Sequence, residues 1–314
     1  MNQENIVMKK TSLLSKMLSF FIVFIIGAIV ESIIQIISVI IYLLPKMSMD
    51  EINKILNDSE QLTNYIYGNN ILTLISLFST IAFIVVTIIW CIKVEKHTLD
   101  YMGFKKKNIL KNYCIGLIIG FIMFSLVVIF EMITGSLKFN GFNNFNFMSV
   151  ILLILFFVGF IIQSASEEIL TRGYLLNNIK SQHKVVTAII VSSFVFGILH
   201  IFNDGFSIIP LINISLVGIF FGLYYLCFNN IWGVCAVHGM WNFAQGNIYG
   251  IKVSGTNVGE SIINTTQVAR KELLNGGSFG AEGGLITTFV LIISIILLYY
   301  YMTKKKKLII RDLK

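Results

Sequence analysis

Charge is scarce in this chain: Asp, Glu, Lys and Arg together make up 13% of 314 residues, against 56% hydrophobic ones. So little charge cannot clothe a water-soluble domain, and a mean hydropathy of +0.81 lies above what a soluble core requires. The chain also lacks an internal repeat, a low-complexity linker and any stretch that reads as a soluble domain. What remains is one polytopic membrane unit. Cysteine is sparse too: Cys91, Cys114, Cys227 and Cys235 form no C-x-x-C pair and sit in or beside apolar runs, so they read as small buried hydrophobes. A thiol nucleophile at Cys235, one turn before His238, is the weaker alternative, because nothing nearby would lower a thiol pKa. The net charge of +8 does not indicate nucleic acid here. The lysines cluster between apolar runs and at the C-terminus, facing an anionic membrane surface.

Lys9, Lys10 and Lys16 precede the first apolar run, as in a secretory signal. The run from Met17 to Leu44 is too long for a signal core, and Pro45 and Lys46 follow it instead of a small-residue cleavage site, so no cleavage is expected. Eight runs qualify as candidate spans: 17–44, 70–92, 113–133, 149–170, 185–202, 207–228, 231–249 and 284–302. The fold class is therefore all-α, a membrane-embedded helical bundle of about eight helices. The N-terminus, loop 93–111, loop 171–184 (Arg172, Lys180, Lys184) and the tail Lys304 to Lys307 are basic. Segments 46–69, 134–148 and 250–283 are acidic, weakly charged or balanced. The positive-inside rule then puts both termini in the cytoplasm. Trp90 and Trp232 fall near cytoplasmic ends, and the Gly-rich NGGSFGAEGG in 250–283 reads as an extracellular turn into the last helix.

Charge inside such runs is costly, about 2.5–3.5 kcal/mol at mid-helix, so it defaults to a functional reading. The residues concerned are Glu31, Glu167, Glu168, Arg172, His200 and His238, with Asn242 as a polar neighbour. The segment SASEEILTRGYLL (164–176) carries three of them. Taken alone, it would be a helix ending near Ala165 and wetting its charges. Glu168 and Arg172 are four apart and share a face, which predicts an ion pair; Glu167 is turned roughly 100° away and is left to work. If the polar turn at 181–184 closes a helical hairpin, Glu167 and His200 lie equally far from it and at the same depth. His238 and Asn242, also four apart, place an imidazole beside an amide. A carboxylate with a histidine suits water activation, an amide with a second imidazole suits oxyanion stabilisation, and Glu/His/His is also a metal-ligand set. Glu31, four residues before Gln35, either lines the same cavity or is a hydrogen-bonded structural residue; the second is preferred.

EEILTRG (Glu167, Glu168, Arg172), FGILH (Phe196, His200) and HGMWN (His238, Asn242) stand in the order of the EExxxR, FxxxH and HxxxN/D signatures. They resemble the CAAX prenyl protease and bacteriocin-processing family of intramembrane endopeptidases, of the type II CAAX protease kind. The resemblance covers 149–249 and divides the chain into helices one to three (1–148), a catalytic core (149–249) and an extracellular loop, last helix and basic tail (250–314). It implies a water-filled cavity reached from the cytosolic leaflet. Glu167 would activate water with His200, His238 and Asn242 would stabilise the oxyanion, and Glu168 and Arg172 would support them. No cofactor is expected; the alternative is a divalent metal, zinc, held by Glu167, His200 and His238. The expected partner is a hydrophobic or membrane-bound peptide or protein, which could be lipid-modified, in bacteriocin or pheromone maturation or self-immunity. The Ile/Asn/Lys-rich composition suggests an AT-rich bacterial genome, and the expected location is the bacterial cell membrane. Two rivals stand against this: a non-proteolytic immunity or regulatory scaffold, which intact motifs disfavour, and a proton-coupled transporter, which would more naturally show broken helices in repeated halves.

Overall fold

The computed structural model describes residues 12–305; Lys9, Lys10, Lys306 and Lys307, counted above in the basic termini, lie outside the described residues. Ser12 caps α1 (Leu13–Leu43), its hydroxyl accepting from the Ser15 amide at 3.2 Å. Segment 46–69 folds into two short helices, α2 (Met49–Asn57) and α3 (Ser59–Tyr67). Ser48 and Glu51 form a reciprocal capping box at the start of α2. The amide and then the hydroxyl of Ser48 hold the Glu51 carboxyl below its usual range. Ile52 anchors α2 against Val39, Leu43 and Leu72.

Next come α4 (Asn70–Val94), α5 (Ile109–Ile133), β1 (Leu137–Phe142) and α6 (Phe147–Lys180). They are followed by α7 (Val185–Ile198), α8 (Ile208–Phe228), α9 (Ile231–Phe243, prolonged by a π-helical turn Ala244–Ile248), β2 (Ile263–Gln267) and α10 (Leu285–Lys304). Among the described residues, α1, α4, α5, α6, α8 and α10 are long and apolar enough to cross a membrane. The protein is a polytopic helical membrane protein. All eight apolar runs form helices, but two are shorter than their runs: 185–202 yields the 14-residue α7, and 231–249 yields the 13-residue α9 with its π turn. Side chains such as Ile25, Ile118 and Ile296 point outward and stay exposed, as a lipid-facing surface requires, while helical backbones satisfy their own polar groups.

Every basic segment within the described residues lies at one end of the bundle. There Ser19 of α1 meets Tyr174 of α6 and Glu95 at 2.7 Å each, Trp232 donates to the Lys105 carbonyl at 3.2 Å, and the rings of Phe228 and Tyr301 stack. At the other end β1 and β2 pair antiparallel with a bulge between Phe139 and Gly141, and Asn143 donates to the Ser261 carbonyl at 2.9 Å. Segment 250–283 is thus a folded cap, not the simple turn expected of its glycines. Asn213 of α8 ties it down, donating to the carbonyls of Glu282 and Gly284 at 2.7 and 2.9 Å.

The centre of the bundle is α9, wedged between α5 and α6. Gly116 and Gly120 permit this. A Cβ on either would stand 2.3 Å from a carbonyl oxygen of α9, that of Gly233 or Val237 respectively, so the two backbones meet with nothing between them. The N-terminal half is attached differently: α1 packs on α4, and α4 on α6.

Candidate active site

On α6, Gln163 and Glu167 are four residues apart and share a face; the Gln163 amide donates to Glu167 Oε1. Immediately after Glu168 the helix widens into a π segment, Ile169–Leu176, all of it buried. Arg172 lies within this segment at 0% exposure, and its Nη1 donates to Glu168 Oε1 at 2.8 Å and to Thr171 Oγ1 at 2.7 Å. The predicted ion pair forms, but in the interior. Arg172 belongs to no cytoplasmic loop, and EE..R is not a wetted helix end. Among the described residues the Arg172 Nε and Nη2 atoms find no hydrogen-bond acceptor. The rings of Phe196 and Phe221, 4.4 and 5.4 Å from the guanidinium carbon, face the cation instead.

Asn230 caps α9, accepting from the amides of Trp232 and Gly233, and the helix carries His238 and Asn242 to the same place. His238 Nδ1 lies 3.0 Å from Glu168 Oε1. A carboxylate oxygen only accepts, so Nδ1 carries the proton. Nε2 is thereby aimed at Glu167 Oε2, 3.8 Å away. Asn242 Nδ2 donates to Gln163 Oε1 at 3.0 Å. Gln163 therefore bridges Glu167 and Asn242, and Glu168 bridges Arg172 and His238. His200 sits just beyond the end of α7, with Nδ1 2.8 Å from the Phe196 carbonyl; that contact assigns the proton to Nδ1 and leaves Nε2 as an acceptor.

Glu167, His200, His238 and Asn242 all border one small cavity of about 30 Å³, enough for roughly one water molecule with several polar partners. A wider cavity of about 220 Å³ opens from Glu167 and His200 toward α1, where Phe24, Glu31 and Phe83 line it. Glu31, read as a structural residue, thus faces this cavity, although Ser79 Oγ also lies 3.5 Å from its Oε1.

Residues 149–244 match the Rce1-like model, described as type II CAAX prenyl endopeptidase Rce1-like. This segment is similar to that family. No curated protein and no solved structure matches the chain. The Rce1-like segment holds α6 to α9 with the EEILTRG, FGILH and HGMWN motifs, whereas Glu31 and the 250–283 cap lie outside it.

Two residues at the candidate site, Gln163 and Glu282, are not among those singled out from the sequence. Gln163 had a signal: it is the one amide in the apolar run 149–163, exactly one turn before Glu167. Glu282 had none. It reaches back from the cap to hold the amide and hydroxyl of Ser254 at 2.8 and 2.7 Å and the indole of Trp241 at 3.3 Å, and both Glu282 and Ser254 border the small cavity. Cys235 is buried, and the two His238 nitrogens face Glu168 and Glu167, which leaves no base for a thiol. Among the described residues no three His, Cys, Asp or Glu side chains are grouped so as to hold a metal ion. His200 and His238 each have Nδ1 held, by the Phe196 carbonyl and the Glu168 carboxylate, and keep Nε2 open.

Proposed function

We propose that the protein is an intramembrane endopeptidase in which Glu167 activates water. The observation that carries this reading is the water-sized cavity bordered by Glu167, His200, His238 and Asn242, with Glu167 fixed by Gln163 and His238 by Glu168. Glu167 takes a proton from the water as its oxygen attacks the peptide carbonyl carbon, and His200 Nε2 accepts a hydrogen bond from the same water. The carbonyl π electrons move onto oxygen. Asn242 uses one amide hydrogen on Gln163 and has a second for this oxyanion. His238 adds a donor at Nε2 when both of its nitrogens carry protons. As the C–N bond breaks, Glu167 returns its proton to the departing amine, so one water and one peptide bond give one acid and one amine. The substrate is a short hydrophobic or membrane-bound peptide, of the kind matured as a bacteriocin or pheromone or cleaved in self-immunity. Both termini are cytoplasmic.

The test is peptide profiling of bacterial membranes holding the intact chain or its Glu167→Ala variant, with and without chelator. Cleavage products should fall by about 10²–10⁴-fold in the variant, the range for loss of a general base, and should persist with chelator. Identical peptide profiles for the two proteins would remove the endopeptidase reading.

A further inference from the structure

Glu31 stands mid-way along α1 and is the one acidic residue of that helix; Gln35, one turn on, already makes the link to α4 by donating to Ser76 Oγ at 3.1 Å. A second interhelical hydrogen bond does not call for a carboxylate, and the one available is weak. Ser79 Oγ is 3.5 Å from Glu31 Oε1 but 2.7 Å from the Ser76 carbonyl. A hydroxyl has one hydrogen to give, and it goes to the shorter contact. Among the described residues no lysine, arginine or histidine forms an ion pair with Glu31, and none of the residues lining the wide cavity is Lys or Arg.

That cavity therefore holds Glu31 and Glu167 together without a fixed cation, in surroundings where charge is poorly screened. An ionisable side chain kept in a membrane helix at such cost calls for a partner, and the position identifies it. Glu31 borders the wide cavity with Glu167 and His200, and a neighbouring one with Gln163 and Asn242, so whatever it binds lies within reach of a peptide bond held at Glu167. We infer that Glu31 is a specificity residue that takes the ammonium or guanidinium of a Lys or Arg close to the scissile bond of the substrate peptide. The inference rests on the endopeptidase reading.

The full-length protein in proteoliposomes is given a library of apolar decapeptides that carry Lys, Arg, norleucine or Glu at each position in turn, and products are read by mass spectrometry. Wild type should cut peptides with a basic residue at one fixed distance from the cleavage point roughly tenfold faster than their norleucine counterparts. Glu31→Gln, which keeps the shape and the oxygen facing Ser79, should abolish that ratio, and Glu31→Lys should turn the preference toward Glu. A ratio of rates within one enzyme does not depend on how much of it is folded. Cutting by wild type with no basic preference, or a preference that survives Glu31→Gln, overturns the inference and leaves the endopeptidase reading standing. Wild type that cuts nothing beyond Glu167→Ala overturns both.

Discussion

At the scale of residues, adjacent glutamates acquire opposite fates from a rotation of roughly 100°. Glu168 is fully buried and spends one oxygen on both Arg172 and His238, while Glu167 remains at the cavity. Breaking the buried pair should cost about 3–5 kcal/mol, because it strands a charge without compensation. Arg172→Ala should therefore lower the unfolding midpoint in detergent sharply, whereas Glu167→Gln, at the cavity, should leave it nearly unchanged. Similar midpoints for the two variants would contradict the division of labour. This part of the site was legible, since an i,i+4 ion pair and a displaced neighbour follow from helical geometry alone. The second task of Glu168, orienting His238, was not, because it joins residues 70 positions apart and depends on how α9 meets α6.

Among the elements, local signals told most where they were local. The Ser48-x-x-Glu51 box is present in the sequence of 46–69 and marks the helix found there, a signal that the charge of the segment alone does not carry. The pairing of β1 with β2 has no such signal, since its register joins Leu137 to Gln267. The π widening after Glu168 has no such local signal; every residue from Ile169 to Leu176 is buried. The α5–α9 seam yields a sharp expectation. Gly120→Leu would drive a side chain into the Val237 carbonyl; overpacking of this kind costs about 1–3 kcal/mol or more. It should reduce both thermal stability and peptide cleavage, whereas Ile118→Leu on the exposed face of α5 should change neither, as measured by unfolding and by product yield.

For the whole molecule, hydropathy and Lys/Arg placement conveyed the bundle and its polarity, and the structure gathers the described basic segments at one end. Which end meets the cytosol is decided by labelling. In a Cys114→Ser background, a cysteine at Lys107 should react with an impermeant thiol reagent only after the membrane is opened, and one at Phe145 should react from outside. The reverse pattern would invert the topology. The glycine seam, finally, bears on how a substrate gets in. With α5 and α9 locked backbone to backbone, His238 and Asn242 ride on a stationary block. The α1–α4 pair stands outside this block: Gln35 to Ser76 holds the two helices to each other, and α4 packs on α6. Glu31 lines the wide cavity from α1, and so belongs to the side of the site that the glycine seam does not fix.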